Sequence, residues 1–327
     1  MTVTPVRGRL RGSRRGRLAD PVFRALVTTA GMLVLALLAF MIVRTTADSW
    51  PIFEQEGLGF FTGTEWDAGD SRDLPAIHGT YGAWPFLYGT LVTSAIALVI
   101  ALPVAIAVAL YLTQLAPRRA RTPLSYAVET LAAVPSIVYG LWGLLYFLPV
   151  VIRPVMQRLT DWFGGFFLFE GPVFGLSYFA AGIVLAIMIL PIMTAVIREV
   201  FAAAPAAELH AGYGLGATQW EVIRKVLLPR SYSGVVGGAM LGLGRAIGET
   251  VAVAMLVGGS QRMGYSLFFA GDTMAAHIFN TFKDAVPETV LGLMAVGVAL
   301  FAFTFLINVL ARLLVWRVGR HAGDAAV

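Results

Sequence analysis

The sequence predicts an all-α membrane protein: a polytopic bundle of six transmembrane helices. Three observations predict it. Apolar residues make up 58% of the 327 residues and charged residues only 13%, against roughly 25% charged in an ordinary soluble domain. The apolar residues gather into runs long enough to cross about 30 Å of hydrocarbon. The basic residues fall on alternate connections, as they do on inside loops of membrane proteins.

In order, residues 1–24 form a basic tail carrying Arg7, Arg9, Arg11, Arg14, Arg15, Arg17 and Arg24 against Asp20 alone. The first span is 25–46, too long for a signal-peptide core and without a small-residue cleavage site, so it reads as a retained anchor. Residues 48–84 are acidic and aromatic, with Asp48, Glu54, Glu56, Glu65, Asp67, Asp70 and Asp73 against Arg72. Trp50, Phe53, Phe60, Phe61, Trp66 and Trp84 suit an interfacial belt or a compact cap. The second span is 85–113 with Pro103, and the link 114–124 holds Arg118, Arg119 and Arg121. The third span is 125–151 with Pro135 and Pro149. Residues 152–177 are a loop with room for a short re-entrant or surface helix. The fourth span is 178–197 with Pro191, the loop 198–230 follows, and the fifth span is 231–258. A partly apolar loop, 260–288, precedes the sixth span, 289–316, and a short tail, 317–327. One permease-like domain, 25–316, is thus expected between two tails. With the N-terminus cytoplasmic, the tails, the link 114–124 and the loop 198–230 are all inside and hold most of the arginines. Prolines within spans free backbone carbonyls, which neighbouring helices or a cavity must satisfy.

Some classes are excluded. There is no cysteine, hence no disulfide framework, thiolate metal site or cysteine nucleophile. The basic tail lacks the aromatics or fold of a nucleic-acid binder; it reads as a topology signal that also meets anionic lipid. His78, His210, His277 and His321 show no metal spacing. Asp272, Asp284 and Glu288 read as a solvated loop, and Glu129 as a helix-end residue facing water. No Ser/His/Asp arrangement or carboxylate pair supports membrane-embedded catalysis.

The fifth span is the informative one. It carries Gly242-Leu243-Gly244-Arg245-Ala246-Ile247-Gly248-Glu249-Thr250 in its middle. Each charge costs about 2.5–3.5 kcal/mol at the centre of a membrane helix on insertion scales. On a straight helix Gly234, Gly238, Gly242, Arg245 and Glu249 fall within an arc of about 80°. Glycines four apart let two backbones approach, so the charged pair shares a packing stripe and points away from lipid. Arg245 and Glu249 would then be one turn apart and able to touch. Two readings stand: the two charges satisfy each other as a fixed structural ion pair, or they serve something that crosses.

The second informative stretch is Glu208 to Pro229. Small residues from Ala211 to Gly216 are followed by Thr218 as N-cap and Glu221 three residues on, a capping box. Trp220, Ile223 and Leu227 form an apolar face, and Pro229 is expected to stop the helix. Two short helices joined at glycines would lie along the inner membrane face. They read either as an ordinary connector or as a plug for a soluble partner.

This loop resembles the EAA motif of importer-type ABC permeases. His210-Ala211-Gly212 occupies the Glu-Ala-Ala triplet, Gly216 the glycine, Val226 the isoleucine and Leu228-Pro229 the close. His210 replaces the glutamate, Gly212 replaces the second alanine, and Glu208 lies two positions early. Four further segments, Val134–Gly143, Gly63–Asp67, Tyr88–Ser94 and Gly242–Thr250, resemble the PstC-type permeases of phosphate-specific ABC transporters. The likeness runs from about Phe23 to about Arg320, nearly the whole chain. It implies a type I importer permease in a bacterial cell membrane, with coupling helices between spans four and five. It also implies a sister permease of the PstA type, two ATPase subunits of the PstB type and an extracytoplasmic phosphate-binding protein of the PstS type. Under that resemblance Glu208, His210, Ala211, Gly212, Gly216, Trp220, Leu228 and Pro229 would meet the ATPase, and Arg245 and Glu249 would lie on the pathway. The chain has no Gly-x-x-x-x-Gly-Lys-[Ser/Thr] loop, so no cofactor of its own is expected and ATP would belong to the partners. The competing reading is an ion-coupled secondary transporter for an oxyanion, which would need no such surface loop and would show paired broken repeats.

Overall fold

The computed structural model describes residues 14–68, 77–171 and 173–324, with side chains described over 21–313. Arg7, Arg9 and Arg11 of the basic tail, and Asp70, Arg72 and Asp73 of the acidic segment, lie outside the described residues. The chain divides into two units, up to Asp48 and from Ser49 onward. The first is the major part of helix α1, Arg14–Glu56. Its apolar side chains from Val22 to Val43 are exposed, and Arg44 pairs with Asp48 at 3.3 Å. The helix starts inside the predicted tail and runs ten residues past the predicted end of the span, to Glu56.

The second unit begins with the outer cap. Helix α2, Gly59–Thr62, leads into a hairpin in which β1, Trp66–Asp67, pairs antiparallel with β2, Thr80–Tyr81. Trp66 meets Tyr81 edge-on at 5.1 Å and Phe86 at 5.2 Å. These aromatics and Phe60 are buried, whereas Trp50, Phe61 and Trp84 are exposed, so the six aromatics expected to form a belt or a cap are divided between the two settings. Helix α3, Trp84–Leu110, presents Ala97, Ala101, Ala105 and Ala109, all fully buried and one turn apart. That small-residue stripe lets α3 lie close along α7, Tyr178–Ala202, the most enclosed span. Ser177 caps α7 by accepting from the Ala180 amide at 3.2 Å.

The third span differs from expectation. Helix α4, Arg118–Ala132, ends before Pro135, and α5, Ser136–Trp142, starts after it. Proline disfavours helical backbone at the residue before it, so the chain breaks there. The apolar run long enough to span is Ser136–Phe163. It passes through a π-helical stretch, Gly143–Ile152, around Pro149, and continues as α6, Arg153–Phe163. A proline removes an intrahelical donor and crowds the preceding turn, and widening to π spacing accommodates both. The predicted loop 152–177 is therefore partly span. Glu129 sits exposed near the end of α4, as expected, and there also pairs with Arg198 of α7 at 2.8 Å.

Among the described residues five helices are long and apolar enough to cross a membrane. The expected fifth span, represented by α10, Leu228–Ile247, is not among them, being diluted by glycines, serines and two arginines. It also stops short: Gly248 caps it, and α11, Val251–Ala254, restarts the chain. The loop 260–288 contains α12, Met274–Thr281, whose N-cap Thr273 accepts from the Ala276 amide. Asp272 and Glu288 are almost fully buried, contrary to the solvated-loop expectation, whereas Asp284 is exposed. Glu288 accepts from the amides of His78 and Gly79, at 2.7 Å each, and so fastens the hairpin. Asp272 pairs with His277 at 3.2 Å, and His277 stacks on Phe86 at 3.9 Å. Helix α13, Pro287–Asp324, completes the chain and absorbs most of the expected C-terminal tail.

Candidate functional site

The glycine stripe of α10 lies against α7. A Cβ on Gly234 would collide with Val200, one on Gly238 would come within 3.0 Å of Ile197, and one on Gly242 within 2.5 Å of Met193. Three residues spaced along α7 thus fill three gaps spaced along α10. The seam continues to Arg245, in the last turn of α10.

The helix break decides what Arg245 can do. An unbroken helix would bring Glu249 beneath it, but α10 ends at Ile247 and Glu249 lies outside any helix. Among the described residues no ion pair joins Arg245 to Glu249. The fixed pair allowed by the sequence is therefore not formed. The Glu249 carboxylate instead accepts from the Ala252 amide at 3.5 Å, in the first turn of α11. Arg245 keeps a buried Nε with no hydrogen-bond partner among the described residues. Tyr139 donates to the Leu131 carbonyl at 2.9 Å, across the proline break.

Arg245 lines an open cleft of about 620 Å³ with Ile192, Gly237, Met240, Leu241, Gly244 and Asn308. The cleft is mostly apolar, with Arg245 and Asn308 its polar side chains. Gly237 and Gly244 have nothing within 4 Å of a would-be Cβ, so this face of α10 is bare backbone. A permanently charged planar donor in an apolar cleft suits a small oxyanion. Asn308 was not singled out by the sequence reading. A lone amide in an apolar span was the signal for it.

The loop between α7 and α10 forms the second candidate surface. Helix α8, Ala206–Gly214, and α9, Gln219–Val222, turn about Gly216, whose φ of +83° is left-handed and favours glycine. The capping box is present: Thr218 accepts from the Glu221 amide, and the Glu221 carboxylate accepts from the Thr218 amide at 3.0 Å. The Thr218 backbone bond, then its hydroxyl, then Lys225 hold the Glu221 carboxyl below its usual range. Gly212 fits under Val222, whose side chain would lie 3.1 Å from an added Cβ. Glu208 reaches Arg230 at 3.7 Å, and His210 and Ala211 are exposed. Two details depart from expectation. Trp220 is 62% exposed, and the buried face is Val222, Ile223 and Leu227. Pro229 does not end the helix: a π turn over Ile223–Leu227 precedes it, and Leu228 and Pro229 open α10. The π spacing just before the ring accommodates the missing proline donor and the crowded turn, as it does around Pro149.

Residues 101–320 match the family described as binding-protein-dependent transport system inner membrane component. The fold and this match define a permease subunit of an ABC transporter, a transport component rather than an enzyme. The chain is 39% identical over 315 residues to the phosphate transport system permease protein PstC of Mesorhizobium japonicum, covering 95% of this chain and 94% of that one. To the PstC of Pasteurella multocida it is 40% identical over 310 residues, covering 94% of each. The chain belongs to the PstC-type permease family of phosphate ABC transporters. The crystal structure of a bacterial ABC transporter involved in the import of the acidic polysaccharide alginate shares the fold, with TM-score 0.58, 16% identity, and coverage of 92% of this chain and 99% of that one.

Proposed function

We propose that this chain is a pathway-forming permease of an ATP-driven phosphate importer. It pairs with a PstA-type sister permease, receives phosphate from a PstS-type binding protein and is driven by two PstB-type ATPase subunits. Its termini lie in the cytoplasm, as the distribution of arginines favours. The observation that carries the reading is Arg245, whose guanidinium lines a cleft and is matched by no carboxylate among the described residues. Phosphate supplies the missing charge as it passes. Rewinding α10 through Gly248 would set Glu249 one turn from Arg245, so that the carboxylate replaces the departing anion. The break is thus a charge switch, with Arg245 open to anion in one state and self-neutralised in the other.

The drive enters at α8 and α9. Tyr213, Leu215 and Trp220 are 40%, 89% and 62% exposed, a density of bare apolar side chains suited to a protein socket. The same loop runs into α10 through Pro229, so a push on it reaches the glycine seam and then Arg245.

The test is uptake of labelled phosphate by the reconstituted complex, with and without this subunit, and with R245K, R245A and E249Q. Membrane abundance and ATPase activity are measured alongside. Losing a charge-assisted contact costs about 1.5–3 kcal/mol, so R245A should lose uptake about tenfold or more while remaining assembled. If every transport-dead variant is also unassembled, or if R245A transports normally, the pathway role of Arg245 is wrong.

A further inference from the structure

Arg245 explains attraction to the cleft but not discrimination, because a guanidinium binds sulfate as readily as phosphate. Asn308 supplies what Arg245 lacks. Its Nδ2 donates to the Thr304 carbonyl at 2.9 Å, one turn back on α13. An amide whose NH₂ is turned toward its own helix directs its oxygen the other way. Among the described residues that Nδ2 contact is the one hydrogen bond the Asn308 side chain makes, so Oδ1 remains an acceptor beside the cleft that Asn308 lines. The remaining lining, Ile192, Gly237, Met240, Leu241 and Gly244, offers no polar side chain.

We infer that Asn308 is a specificity residue: its carbonyl oxygen accepts the hydrogen of a protonated tetrahedral oxyanion held at Arg245, and so rejects anions of the same size that carry no hydrogen. The inference rests on the phosphate reading above and deepens it. At neutral pH phosphate carries at least one P–OH in either of its forms. Sulfate and monofluorophosphate carry none. Facing Oδ1, their oxygens or fluorine oppose lone pair to lone pair, and the acceptor is left unpaired. Sites built around a substrate hydroxyl discriminate strongly against analogues that lack it. A single neutral acceptor in an open cleft should give about tenfold, the factor that corresponds to one ordinary hydrogen bond.

Monofluorophosphate is the decisive probe, because it matches hydrogen phosphate in charge and nearly in size. The assembled complex, purified without the binding protein, is titrated with phosphate, monofluorophosphate and sulfate. Binding is read by phosphorus NMR line broadening for the first two and by competition for the third. Wild type is expected to favour phosphate over monofluorophosphate about tenfold or more. N308L should bring that ratio close to one, by weakening phosphate and admitting the others. N308D keeps an acceptor in place, so it should weaken all three anions yet retain the preference. R245K should weaken all three and leave the ratio unchanged. Should N308L fail to assemble, N308A and N308D carry the comparison. An unchanged ratio in N308L or N308A, with phosphate binding still dependent on Arg245, overturns the role of Asn308 and leaves the Arg245 reading standing. Phosphate binding that ignores Arg245 altogether overturns both.

Discussion

Substituting alanine along the α10 seam separates a packing surface from a run of permissive residues. Alanine is preferred over glycine in a helix by about 0.8–1.0 kcal/mol, so where space exists the change is neutral or stabilising. Gly237 has nothing within 4 Å of the Cβ position and serves as that control. Gly234 faces Val200, whose Cγ2 and Cβ would lie 2.6 and 3.0 Å from the new carbon, with Cγ1 closer still. A β-branched side chain in a helix has one strongly preferred rotamer, so Val200 cannot turn aside. Overpacking of this kind costs about 1–3 kcal/mol. A Cβ added at Gly242 would lie 2.5 Å from Met193, but methionine is unbranched and adapts. The expected order of stability is therefore G237A, then G242A, then G234A. The first and last should differ by about 1–3 kcal/mol, roughly 5- to 150-fold in an equilibrium constant. The assay is the thermal midpoint of the purified complex for each variant, and for the double variant G234A/V200A. Removing both γ carbons of Val200 should restore G234A, with a coupling of about 1 kcal/mol or more. If G234A is as stable as G237A, or if V200A brings no rescue, α10 does not pack on α7 through its glycines.

Three further outcomes follow from the connections. T218A removes the N-cap of α9 and should cost about 1 kcal/mol of local stability, seen as faster amide exchange at Glu221 and weaker coupling of ATPase activity to transport. The Glu221 carboxyl is held low, so its capping contribution is complete above the ordinary glutamate range and is lost as pH falls through the lowered value. Exchange in α9 should therefore quicken in acid for wild type, and E221Q should abolish that dependence. E288A strands the buried amide of Gly79 and that of His78, at about 1–3 kcal/mol for each buried donor left unsatisfied. Those two amides should lose protection while α7 keeps its own, and E288Q, which retains a carbonyl acceptor, should be milder.

Hydropathy and arginine placement made the membrane class and most of the spans readable, because both are set by single-residue transfer energies. Glycine spacing made the α10–α7 seam readable, and Thr218 with Glu221 made the cap readable, since each is a local pattern. What escaped depended on partners distant in sequence. Glu288 looked like a loop acid because the amides it holds are about 210 positions away. His277 looked unremarkable because Asp272 and Phe86 become its neighbours only in the fold. The register of the third span was missed because Pro135 was read as a kink within a span, whereas it divides two helices. The end of α10 at Gly248 was missed for the opposite reason: nothing in an apolar run with one more glycine marks that residue as the stop.

That stop has a consequence for the life of the subunit. A solitary copy in the bilayer carries a permanent cation whose counter-charge is not supplied by its own helix, which makes it a poor guest among lipids until other proteins surround it. Orphan subunits should therefore be cleared quickly. An R245L version expressed alone is expected to outlast wild type in pulse-chase, with the advantage disappearing once the companion subunits are present. The arginine proposed to draw the anion into the cleft would then also act as an inspection mark for completed assembly.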